Sequence, residues 1–301
     1  RLQSTERALL AYAEDNFDHV VVLLDSSNPM QLDFLDDDKI DAAIWIGAPG
    51  AAGLVAIPQI MAGEVNPSGH LVDIFPYDVK ADPTYWNCTA GTYSNYEDFG
   101  GGEEFDNKVD GGMIWYAENI YMGYRYFETA DAMGTIDYAK AVQFPFGFGL
   151  SYTSFDWAVK SSSFGDTGCQ INVEVEVTNS GSVAGKDVVQ LYYAAPYTEG
   201  GIEKSAKILG AFAKTSLLDP GASETVTLTM NVDDIASYDH LNAKAYVAEA
   251  GDYAFTLQTD SHNVKEGCDP LTYTVSSTRV YDDSGVGKRS TDFAVATTAS
   301  R

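Results

Sequence analysis

The chain has 301 residues, 45% of them hydrophobic and 12% aromatic, which is enough apolar material for a core and too much for a disordered chain. Its 44 acidic residues against 18 basic ones leave a formal charge of −26, a field that repels polyphosphate and anionic lipid and so excludes nucleic acid and membrane surfaces as partners. No stretch approaches the roughly 18 uninterrupted apolar residues of a membrane-spanning helix.

Residues 5–17 carry Ala8, Leu9, Ala11, Tyr12 and Phe17 at helical spacing, with Ser4 and Thr5 as possible caps. The opening residues have no apolar core of a signal peptide and do not begin with Met, so the chain is expected to have been cut or processed upstream. Residues 20–24 are a continuous β-branched and leucine run, as in a strand buried on both faces, and residues 40–46 read as a second such strand. Between them, residues 30–38 suggest a short acidic helix. A glycine-rich turn over 47–53, a helix over 54–62 closed by Gly63, and a third strand over 71–75 follow. Alternating strands and helices imply an α/β sheet with parallel strands.

The pattern dissolves over residues 77–112, where Tyr85, Trp86, Tyr93, Tyr96 and Phe99 are mixed with acidic residues and Gly100, Gly101 and Gly102. A long irregular stretch in a compact protein is either a functional loop or a plain surface excursion, and both readings stay open here. Order returns over 113–128, and a Gly-Pro-aromatic block spans 144–155. Beyond it the character changes: residues 171–177 alternate strictly, and further strands are read over 188–193, 207–213, 224–230, 244–248, 252–258 and 271–275. Short strands separated by turns such as Asp219-Pro220-Gly221 spell an antiparallel β-sandwich. Residues 280–301 are small and polar, with no pattern.

No self-sufficient catalytic constellation emerges. His19, His70, His240 and His262 lack ligand spacing, and Cys88, Cys169 and Cys268 have neither metal nor redox spacing. They read as free thiols of a reducing compartment, hence a cytoplasmic protein, with a Cys169–Cys268 bridge as the alternative. Ser151 lacks the glycine two residues on that a nucleophile elbow requires. Gly47, Gly50 and Gly53 sit between strand and helix, but their spacing is not that of a dinucleotide loop, and Pro49 removes an amide that would hold phosphate. Neither cofactor nor metal is called for.

Four blocks resemble the family 3 glycoside hydrolases: residues 20–30 ending in Asn28-Pro29-Met30; residues 40–50 running into Gly63-Glu64-Val65-Asn66-Pro67-Ser68-Gly69; residues 116–126, with Glu118, Tyr121 and Gly123-Tyr124-Arg125; and Phe144-Pro145-Phe146-Gly147-Phe148-Gly149-Leu150-Ser151-Tyr152-Thr153. Residues 177–181, 185–192, 209–212 and 218–221 resemble its fibronectin-like domain. His70 stands where that family commonly has Arg, and Asn119 where it often has Gly. The resemblance implies a partial α/β sandwich domain over 1–155, a fibronectin type III or immunoglobulin-like sandwich over 156–278, and a linker or tail over 279–301.

It also implies a retaining, exo-acting β-glycosidase acting on β-linked oligosaccharides or glycosides. Its nucleophile Asp would lie on a TIM-like barrel outside this chain and its acid/base Glu upstream of it. The segment over 280–293 resembles the linker of members in which the barrel follows. No catalytic residue is therefore expected here. Glu118, in the third block, is the nearest candidate acid/base, although packing beside Tyr121 and Arg125 is the alternative. Tyr93, Tyr96, Asp98 and Glu104 are the candidate sugar contacts, because aromatic faces beside carboxylates suit a pyranose. The competing reading is a non-catalytic carbohydrate-binding or interaction module.

Overall fold

The computed structural model describes residues 2–87, 118–165, 169–282, 285–287 and 289. The α/β part opens with α1 (Ser4–Asn16), whose N-cap is Gln3 rather than Ser4 or Thr5, the Glu6 carboxylate accepting the Gln3 amide at 2.6 Å. Strand β1 (Val21–Leu24) pairs in parallel with β2 (Ala42–Trp45), and a 3-10 turn over Asp33–Asp36 lies between them. Short helices α2 (Gly50–Gly53) and α3 (Ala56–Met61) follow, and Gly63, at φ 73°, ends the second.

The expected third parallel strand over 71–75 is not part of that sheet. Only β3 (Phe75–Pro76) forms, and after α4 (Pro83–Asn87), α5 (Tyr124–Ala132) and α6 (Tyr138–Ala141) it pairs antiparallel with β4 (Val142–Phe144). Leu71 instead exchanges backbone hydrogen bonds with the 147–148 turn, so the apolar run is used to fasten a loop. Nor are the first two strands buried on both faces. Val21 and Leu23 are 39% and 43% exposed, because β1 and β2 form a two-stranded sheet with one face covered. That covered side is a small core in which Leu24, Leu32 and Phe75 pack with Met30, Trp45, Leu71 and Phe144.

The second part is a β-sandwich, and each expected strand is present. β5 (Phe155–Phe164), β6 (Gln170–Asn179) and β9 (Ser223–Asn231) form one sheet in that order. The facing sheet runs β13 (Leu271–Val275), β12 (Gly251–Gln258), β7 (Val188–Ala194) and β8 (Ile208–Lys214). All pairings within these sheets are antiparallel. Alternation along β6 sends Ile171, Val173, Val175 and Val177 inward against Leu191, Leu228, Tyr253 and Phe255, all at zero exposure. At one end β10 (Ser237–Asp239), β11 (Ala245–Ala248) and β14 (Arg279–Tyr281) make a further small sheet. The first residues of the stretch read as patternless are ordered. Arg279–Tyr281 is a strand, with Tyr281 buried and its hydroxyl donating to Asp233 at 3.0 Å. Cys169 and Cys268 are free thiols, the first exposed and the second buried, so no bridge joins them.

Candidate functional site

The second, third and fourth motif blocks converge on the joint between the α/β part and the sandwich. Asn66 is the hub of one corner: its carbonyl accepts the Ser151 hydroxyl at 3.1 Å and the Tyr152 amide at 2.9 Å, while its amide donates to Ala184 of the sandwich at 3.1 Å. Tyr152 reaches back to the Ile60 carbonyl at 2.9 Å, closing α3 onto the same corner. Ser151 is thus a structural hydroxyl. Lys214 of β8 adds a hydrogen bond to the Ser68 carbonyl at 2.6 Å.

The glycines of the fourth block are required by close approach. A Cβ on Gly147, whose φ is 81°, would lie 2.3 Å from the Gln190 carbonyl oxygen, and one on Gly149 would meet the Gly69 carbonyl at 2.6 Å. Gln190, 3% exposed on β7, donates to the Gly147 carbonyl at 3.0 Å and to Thr259 at 2.7 Å and accepts from the Tyr192 hydroxyl at 2.8 Å. An amide buried this deeply costs free energy unless its groups are paired, and here they are. His70 packs against Gly149. Burial holds its imidazole below the usual value, with Asp187 opposing that shift.

The third block supplies the other corner. Asn119 adopts φ 53°, the left-handed conformation that glycine takes freely and Asn tolerates, which explains why this position admits both residues. Glu118 is 7% exposed, and its carbonyl accepts the Tyr121 amide at 2.9 Å. The Tyr121 hydroxyl donates to Glu203 in the sandwich, and burial with that carboxylate beside it pushes the phenol well above its usual value. Lys204, next in sequence, has a side chain only 2% exposed that pairs with Glu249 and donates to the Pro196 carbonyl.

Farther along α5, Glu128 is buried and gathers Lys207 at 3.2 Å, His262 Nδ1 at 3.2 Å and the Ser261 hydroxyl at 3.1 Å, all from the sandwich. The Tyr138 ring stacks on His262 with centroids 3.7 Å apart. This cluster was not foreseen: Glu128 and His262 are 134 residues apart, and no local pattern marks either. An open depression of about 520 Å³ lies beside the joint, but its carboxylates are already engaged, Glu203 by Tyr121, Glu249 by Lys204 and Asp239 by the 241–243 amides.

The expected sugar contacts Tyr93, Tyr96, Asp98 and Glu104 lie outside the described residues. What the structure places is the ground on either side of them. Upstream, Gln31 donates to the Tyr77 carbonyl at 2.6 Å, tying the Asn28-Pro29-Met30 turn to the start of that stretch. Downstream lies the arm from Glu118 to Gly123, fastened to the sandwich through Tyr121.

Residues 1–152 match the family model of the glycosyl hydrolase family 3 C-terminal domain, and residues 187–261 match that of the fibronectin type III-like domain. The chain belongs to glycoside hydrolase family 3. It is 36% identical to a β-glucosidase of Ruminococcus albus over 93% of its own length and 26% of the relative's. To β-glucosidase A of Butyrivibrio fibrisolvens it is also 36% identical, over 88% and 31%. Among solved structures, a β-glucosidase of Paenibacillus barengoltzii superposes with a TM-score of 0.78 at 35% identity, covering 93% of this chain and 29% of that one. β-Glucosidase 3B of Thermotoga neapolitana, in complex with α-D-glucose, does so at 0.75 and 30%, covering 93% and 35%. The chain thus spans between a quarter and about a third of the length of these relatives. As a family 3 chain it carries the α/β C-terminal domain and the fibronectin-like domain in the order the sequence indicated.

Proposed function

We propose that this chain is the cleft-wall and scaffold segment of a retaining, exo-acting β-glucosidase whose catalytic carboxylates and TIM-like barrel lie outside these residues. The observation that carries this reading is how the chain's own polar groups at the joint are used. Asn66, Ser151, Gln190, Glu128, Tyr121 and Glu203 are each committed to hydrogen bonds or ion pairs of the joint, as expected of framework rather than of a reacting pair. A retaining glycosidase needs its carboxyls about 5 Å apart across a sugar, with one poised as acid. Buried Glu118 is not assigned that part.

The substrate in this reading is a neutral β-glycoside, which suits a chain of charge −26 because binding it brings no anionic repulsion. The fibronectin-like domain serves as the rigid base on which the cleft-facing arm is mounted.

The test is hydrolysis of a panel of nitrophenyl β-glycosides by the 301-residue chain and by the full-length gene product. Activity confined to the full product, highest on the β-glucoside, is the expected result. Turnover by the isolated chain would overturn it and return Glu118 to candidacy.

A further inference from the structure

We propose that Arg289 and Tyr246 form a latch that holds the segment after β14 folded back against β11. The start of what the sequence presents as a linker or tail is then a strap of the sandwich, withheld from proteolysis until the latch opens.

The strap begins with a turn that its own residues require. Past Tyr281, the Asp282 carboxylate accepts the Gly285 amide at 2.7 Å, and the Asp282 carbonyl accepts the Gly287 amide at 3.1 Å. The Val286 amide donates to the Val280 carbonyl at 3.0 Å, so the chain doubles back along the strand it has just left. A Cβ on Gly285 would lie 2.1 Å from that same carbonyl, and Gly287 takes φ 85°. Both positions therefore call for glycine.

β14 pairs with β11 so that Tyr281 stands opposite Tyr246 and Val280 opposite Val247. A chain reversing beside Val280 is thus carried toward β11. There the guanidinium carbon of Arg289 lies 3.4 Å from the centre of the Tyr246 ring. Tyr246 is a firm seat. It packs against the buried core of the sandwich, and Tyr238, its partner in register on β10, meets it edge-on with centroids 5.3 Å apart. A planar, weakly hydrated guanidinium suits such a face better than an ammonium does.

The strength of a partly exposed cation–π pair favours the closed strap by about three- to thirty-fold, so the latch holds the segment and still opens readily. A protease that cuts after arginine has to draw the side chain into its own pocket. Arg289 cannot serve it while stacked on Tyr246, and cutting there follows the open population.

The experiment uses the full-length gene product and the variants Tyr246→Ala, Tyr246→Phe and Arg289→Gln. Folded protein is treated with an arginine-specific protease, and each cut is located by mass. Tyr246→Ala is expected to speed cleavage after Arg289 by about three- to thirty-fold and to leave cleavage after Arg125 unchanged. Tyr246→Phe keeps the ring face and should stay within about two-fold of the parent. Arg289→Gln removes the cut site and is read by hydrogen exchange instead. The Val286 and Gly287 amides should exchange at least about three-fold faster, with the thermal midpoint close to the parent's. Cleavage of Tyr246→Ala after Arg289 at the parent's rate overturns the proposal. So does equal acceleration after Arg125, a Tyr246→Phe variant as susceptible as Tyr246→Ala, or unchanged exchange in Arg289→Gln. Because Tyr246 also packs on the core, Arg289→Gln decides the question by itself where Tyr246→Ala fails to fold.

Discussion

Valines and leucines fill strands in both halves of the molecule, yet they meet different fates. In β6, Val173, Val175 and Val177 are fully buried between two sheets, while their neighbours in sequence face outward. In β1, Val21 and Leu23 remain 39% and 43% exposed, and α1 beside it buries none of its residues, leaving Leu9, Tyr12 and Phe17 each more than 60% exposed. The sandwich is self-sufficient because its two sheets cover each other. Among the described residues of the α/β part, no second layer covers the apolar side chains of α1 and the outer face of β1. Strand composition states how many faces are to be buried, and only the assembled layers state by what.

Substitutions in the two halves should therefore separate widely. Phe255→Ala in the sandwich core is expected to cost about 3–5 kcal/mol, whereas Leu9→Ala on α1 should change the stability of the 301-residue chain by less than about 0.5 kcal/mol. Urea unfolding of both variants measures the contrast, and comparable losses would break it.

The joint should lie between these extremes. Glu128→Ala removes the acceptor of Lys207, Ser261 and His262, and is expected to cost about 2–4 kcal/mol by the same measurement. The lower part of that range is expected because Lys207 keeps the carbonyls of Ser261 and His262 and is a quarter exposed.

The smallest effect is a pH dependence. Burial holds the His70 imidazole below its ordinary 6.5, so the unfolded chain takes up the proton more readily than the folded one. Its contribution is present above the unfolded value and is lost as pH falls through about 6.5 toward the folded value. Stability measured between pH 7.5 and 5 should decline less steeply in His70→Gln, and parallel pH profiles would show that His70 has no part in it.

The sandwich was the more legible half, for the same reason that its core is the more fully buried one. Strict alternation, as over 171–177, has a single physical reading, and turns such as Asp219-Pro220-Gly221 bounded it. β5 was hidden because Lys160, Ser161, Ser162 and Ser163 interrupt the pattern where the ladder shifts between Val159 and Ser161. β10 and β14 are three residues each, too short for any period to show. In the α/β part, the run over 71–75 had the composition of a buried strand and serves mainly as a clasp on the 147–148 turn, a choice made by residues far along the chain. Glu118 could be singled out from its motif, but its burial could not. Glu128, Lys207 and His262 carry no signal until folding brings them together.

Gln190 shows what this arrangement means for anyone rearranging the molecule. One amide on β7 reads Gly147 on one side and Thr259 on the other, so the seam is written into three distant places in the chain at once. A recombinant made by cutting near residue 155 and attaching a foreign sandwich would part Gly147 from Gln190. The transferable unit is the sandwich together with the 144–153 block.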